Sequence, residues 1–167
     1  MKRSGRTLRH RLQLVAEQLY RARYFRGHGV HSPYVYSIVR KVFMQSRLTA
    51  HATDLHDALM AKGVAHRRCV QLQNLVAHCG YHSWKIDNME RCDFVVCTLA
   101  VASAELRDYA AYAREHGITL CIMSPYKCAE RRDVCRAIVA EHPSTTVDNR
   151  AYLLVFNNHL PKQKFIL

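Results

Sequence analysis

The chain has 167 residues, of which 49% are apolar and 23% charged, and its formal net charge at pH 7 is +12. That length fits one domain, and that apolar share supplies a core and excludes wholesale disorder. No apolar run approaches the roughly 20 residues that a membrane-spanning helix needs, so no membrane partner is expected.

The first element read from the pattern is a helix over residues 7–25. Leu8, Leu12, Val15, Leu19 and Ala22 form one stripe, Thr7 can cap it, and Gly27 and Gly29 stop it. Ser32-Pro33 then opens a second helix with Val35, Ile38, Val39 and Val42 on its buried face. A third helix is expected over about residues 52–61, ending at Gly63. A fourth covers about residues 65–79, with Val70, Leu72, Leu75 and Val76 inward, and ends at Gly80.

After Gly80 the period changes. "YHSWKID" reads as a short strand, and "CDFVVCT" as a buried strand. A helix over residues 103–116 closes at Gly117, and "ITLCIMS" is the next buried strand. Ser124-Pro125 starts a turn into a helix that runs to Glu141, within which "ERRDVCR" reads as a segment of intrahelical ion pairs. "TTVDN", "AYLLVFNN" and "KFIL" complete the order β-β-α-β-α-β-β-β. The expected fold is α/β. A mainly helical, basic region (residues 1–80) precedes a reduced Rossmann-like core (residues 81–167) in a single domain. Its sheet is mostly parallel, with five to six strands and an antiparallel C-terminal edge.

Charge and cysteine usage narrow the partners. Residues 1–47 hold eleven Lys or Arg against one acid, Glu17. This asymmetry invites a polyanion, with Arg21, Arg23 and Arg26 as binding candidates, or else it is a solvated face. The seven cysteines include no Cys-x-x-Cys pair, and Cys97, Cys121 and Cys135 lie in apolar segments. They read as reduced, buried thiols of a cytoplasmic protein. Cys79 and His82 have ligand-like spacing without a second pair, so no metal is expected. Arg9, His10 and Arg11 interrupt any apolar leader behind Lys2, Arg3 and Arg6, and no secretory signal is expected.

Two stretches carry a resemblance. "GHGVHSPYVYSIVRKV" near the start, and "HPSTTVDN", "AYLLVFNN" and "PKQKFIL" at the end, resemble a bacterial family of class I S-adenosylmethionine-dependent methyltransferases. In that family the first strand ends in a Glu-x-Gly-x-x-x-Gly type turn that approaches the cofactor. Here "YHSWKID" is followed at once by "NMERCDFVVC", and no glycine occurs between Gly80 and Gly117. The chain passes from a strand resembling the family's first to one resembling its fourth. The resemblance therefore implies a methyltransferase-like protein without its cofactor-binding half. No cofactor is expected, and the protein is expected to act as a binding or scaffold protein, with self-association through the exposed sheet edge.

Two further functions remain open: an active methyltransferase using S-adenosylmethionine in a shortened site, and a nonspecific nucleic-acid-binding module. Candidate catalytic residues are His28 and His31 around the glycine turn and Asp87 at the end of the first strand. The histidines suit acid–base work near neutral pH, or else they bond helix ends at a structural corner. Asp87 can touch a ligand or form a turn.

Overall fold

The computed structural model describes residues 32–49, 51–158 and 160–167. The expected helix at residues 7–25 lies outside the described residues, as do Arg21, Arg23, Arg26, His28 and His31.

Helix α1 (Pro33–Ile38) starts as Ser32-Pro33 requires. The Ser32 hydroxyl accepts from the Val35 amide at 3.4 Å, and Pro33 occupies the first turn. The helix widens into a π-helical turn over Val39–Phe43, where the Met44 amide donates to the Val39 carbonyl at 3.1 Å. The pattern gave no sign of the widening, because Val35, Ile38, Val39 and Val42 still share a buried face.

Helices α2 (Asp54–Ala61) and α3 (His66–Cys79) follow, and α3 ends on Gly80 at φ 68°, the left-handed conformation glycine adopts without strain. Helix α3 is buried from Cys69 to Val76 although Gln71, Gln73 and Asn74 interrupt its apolar residues. Each amide side chain holds a distant backbone group. The Gln71 amide donates to the Phe43 carbonyl at 2.8 Å, and Gln73 accepts from the His56 amide at 3.0 Å. Asn74 accepts from the Thr49 amide at 2.9 Å and donates to the Arg47 carbonyl at 2.9 Å. Buried polar groups are tolerated when bonded in this way, and α3 becomes the axis that the preceding segments are pinned to.

Six strands form one sheet in the order β1-β2-β3-β5-β4-β6. These are β1 (Trp84–Ile86), β2 (Phe94–Cys97), β3 (Thr119–Met123), β4 (Thr146–Asp148), β5 (Tyr152–Val155) and β6 (Lys164–Ile166). The pairs β1–β2, β2–β3 and β4–β6 are parallel, and β3–β5 and β4–β5 are antiparallel. The sheet is thus mostly parallel with its antiparallel pairing on the C-terminal side, as expected. The reversal belongs to β5 alone, and the outermost strand, β6, runs parallel to β4.

Helices α4 (Leu106–Glu115) and α5 (Ala129–Glu141) cover one face. Strand alternation divides the core between the two faces. Phe94, Val96, Cys121 and Met123 pack under α1–α3, while Val95, Cys97, Leu120 and Ile122 pack under α4 and α5. All seven cysteines are free thiols, and burial pushes the Cys97, Cys121 and Cys135 thiols up, Cys135 to about 11. None of these three is a ready thiolate. Among the described residues no helix is long and apolar enough to cross a membrane.

Candidate functional site

Parallel strands ordinarily need a crossover of about a dozen residues, usually helical. Here β1 and β2 are joined by residues 87–93 alone, with no helix between them. An aspartate clamps each end of that crossover. At the carboxyl end of β1, Asp87 turns the chain at φ 56°. Its Oδ1 accepts from the Thr98 amide at 2.6 Å, and its Oδ2 accepts from the Thr98 hydroxyl at 2.8 Å and from Lys62 Nζ at 3.1 Å. At the amino end of β2, Asp93 Oδ2 accepts from the His82 and Ser83 amides at 2.8 and 2.9 Å and from the Ser83 hydroxyl at 3.0 Å.

Asp87 therefore lies at the carboxyl end of β1, as the sequence places it, with both oxygens committed to Thr98 and Lys62. The arrangement makes it a clamp. Asp93 carries a testable consequence. Burial raises its carboxyl, but the hydrogen bonds from His82 and Ser83 outweigh burial and hold it below its ordinary value. A depressed carboxyl contributes stability above its unfolded pKa of about 3.9, and that stability is lost as pH falls through the folded value. Asp93→Asn is expected to flatten the acid limb of a urea-measured stability curve below about pH 4. An unchanged limb would show that the clamp is not ionic.

Beyond Asp87 a cleft of about 400 Å³ opens at the carboxyl ends of β2 and β3. Thr98, Leu99 and Ala100 line it where β2 ends, and Met123 and Ser124 where β3 ends. Residues 62–65 and Arg68 close it from the helical side, and Ala151, beside Ser124, completes the lining. Open α/β sheets bind ligands at this end of their strands, and the volume lies in the roughly 300–1,000 Å³ range of small-molecule sites. Ser124 takes φ 50° there, a left-handed conformation rare for a residue with a side chain, and its amide donates to the Ala151 carbonyl at 2.7 Å. Ser124-Pro125 does not itself open helix α5. The helix begins at Ala129, with Cys128 Sγ accepting from the Arg131 amide at 3.5 Å.

Behind the cleft floor lies a group that the sequence did not reveal. Arg131 is 2% exposed. Its guanidinium donates to the Met123 carbonyl at 3.2 Å and to the Val101 and Thr98 carbonyls at 2.9 Å each. It has no ion-pair partner among the described residues, whereas its neighbours Arg132 and Asp133 pair with each other at 3.0 Å. Arg131 ties together the chain ends that leave β2 and β3.

The remaining candidates serve packing. Tyr34 stands edge-on to Phe156, with centroids 5.5 Å apart, and its hydroxyl meets Cys79 Sγ at 3.4 Å. Burial raises both the Tyr34 hydroxyl and the Cys79 thiol. His82 contributes its backbone amide to Asp93, and among the described residues no three His, Cys, Asp or Glu side chains converge on a metal-sized site. Trp84 packs at the margin of the core, its indole N–H reaching Asp54 at 3.4 Å.

No family model, curated protein or solved structure matches this chain.

Proposed function

We propose that this chain is a methyltransferase-like binding protein that no longer uses S-adenosylmethionine and takes a small molecule in the cleft at the ends of β2 and β3. The observation that carries this reading is the crossover over residues 87–93. In the family that the opening and closing segments resemble, a glycine-rich turn follows the first strand and carries the cofactor. In this chain Asp87 occupies that place, fastened to Thr98 and Lys62. Among the described residues the cleft beside it is lined by Arg68 and by Lys62, the latter paired with Asp87, and by no carboxylate, and the Arg68 charge disfavours the sulfonium cation of S-adenosylmethionine.

A scaffold role through the free edge of β1 is less well supported. That edge is three residues long, and Lys85 at its centre is ion-paired with Glu90. Short, charged edges discourage strand addition, so we assign the binding role to the cleft.

The test is thermal melting of the full chain with S-adenosylmethionine and S-adenosylhomocysteine. A ligand at 100 times its dissociation constant adds about 2.7 kcal/mol, a rise of more than about 5 °C for a chain of this size. No rise is expected with either compound. A clear rise would overturn the reading and favour an active methyltransferase with a shortened site.

A further inference from the structure

We propose that the cleft binds a small amphipathic anion, with its phosphate or carboxylate head against Arg68 and Lys62 and its apolar body against Leu99, Ala100 and Met123. This rests on the reading of the cleft as a binding site.

The two ends of the cleft differ in chemistry. On the helical side stand two cations. Lys62 is held by Asp87, but Arg68 has no carboxylate partner among the described residues; its guanidinium donates to the Gln71 side-chain carbonyl at 2.8 Å. Arg68 is half-buried, and the cation Arg67 precedes it in the same helical turn. Burial, with Arg67 adding to it, lowers its pKa against an opposing effect of Tyr152. A half-buried guanidinium without a counter-charge gains when an anion arrives, and its planar fork suits carboxylate and phosphate oxygens.

Helix α3 reinforces the same end. Its N-cap is Ala65, which lines the cleft and offers no side-chain acceptor. Its first turn holds no acid and instead carries Arg67 and Arg68, the reverse of what a helix N-terminus ordinarily selects. With Lys62 already paired to Asp87, the charge at this end left without a carboxylate among the described residues is that of Arg68, and the N-terminus of α3 adds to it. On the sheet side Leu99, Ala100, Met123 and Ala151 stand beside Thr98 and Ser124, and none of these six is charged. Leu99 is 52% exposed where it lines the cleft. The strands β1, β2 and β3 are parallel, and each leads at this end to an exposed large apolar residue, Met89, Leu99 and Tyr126. A ligand with one anionic head and an apolar body satisfies both ends at once.

The experiment is amide-resolved NMR titration of the full chain with phenyl phosphate, benzoate, inorganic phosphate and benzyl alcohol, read at Thr98, Ala100 and Ala151. Phenyl phosphate or benzoate is expected to bind more tightly than either the head or the body alone, and the stronger of the two identifies the head. Arg68→Gln is expected to weaken the preferred anion by about tenfold or more, and Arg68→Lys by less. Melting of the unliganded variants separates lost binding from lost folding. If benzyl alcohol binds as well as phenyl phosphate and Arg68→Gln changes nothing, the anion inference fails while the cleft remains a binding site. If no probe shifts the three amides, the binding-site reading fails with it.

Discussion

Arg131→Met is expected to lower the stability of the fold by about 4 kcal/mol, the sum of several carbonyls left without a donor at about 1–3 kcal/mol each, less the relief of removing a buried charge. Methionine keeps most of the aliphatic stem, so the loss isolates the guanidinium. Three carbonyls, of Thr98, Val101 and Met123, then lose their donor in a site where Arg131 itself is 2% exposed. Arg131→Lys keeps the charge, but one compact ammonium lacks the spread of the guanidinium fork that reaches three carbonyls on two segments, and about 2 kcal/mol should still be lost. The measurement is urea unfolding of both variants beside Arg132→Gln, a neighbour whose ion pair is with an exposed aspartate and whose effect should stay within about 0.5 kcal/mol. Losses below about 1 kcal/mol for both Arg131 variants would show that solvent or neighbouring donors replace the guanidinium.

Asp87→Ala is expected to cost about 3 kcal/mol, from two effects that a second variant separates. The first is loss of the acceptor for the Thr98 amide and hydroxyl, charge-assisted bonds to a residue 7% exposed. The second is backbone conformation, because φ 56° suits Asp and Asn far better than Ala. Asp87→Asn keeps the conformation and one side-chain acceptor, giving up the charge that faces Lys62, and should cost about 1 kcal/mol. A denaturant titration that found the two variants equal would place the whole effect in the carboxylate charge and none in the turn.

The centre of the sheet was legible because β2 and β3 are short, nearly continuous apolar runs. "FVVC" and "TLCIM" sit between helices on both faces, so every position is buried, and their shortness and β-branched residues favour strand over helix. Helix α3 was legible only in part. Val70, Leu72, Leu75 and Val76 announced a buried stripe, but the burial of Gln71, Gln73 and Asn74 depends on backbone groups 17 to 28 residues away. The same reason hid Arg131. Its neighbours in "ERRDVCR" look like it, and only carbonyls at positions 98, 101 and 123 distinguish it. The cleft was hidden for a related cause, since Lys62 follows α2 and Arg68 lies in the first turn of α3, and only the fold sets both beside the ends of β2 and β3. Asp87 was picked out by its place at a strand end, and the structure supplies the partners that give it a role.

The crossover between β1 and β2 also bears on the order in which the molecule assembles. Parallel pairing is normally slow, because a long stretch of chain must be closed before any contact rewards it. Here the paired residues Trp84–Ile86 and Phe94–Val96 are ten apart in sequence, a separation closer to that of a hairpin. Loops of about that length close in roughly 10–100 ns. Asp93 and Asp87 then fasten the two ends from within the same short segment, without waiting for the helices or for β3. The first parallel pair can form as a local event and present Phe94 and Val96 as a ready surface, onto which α3, arriving directly before it in the chain, can condense.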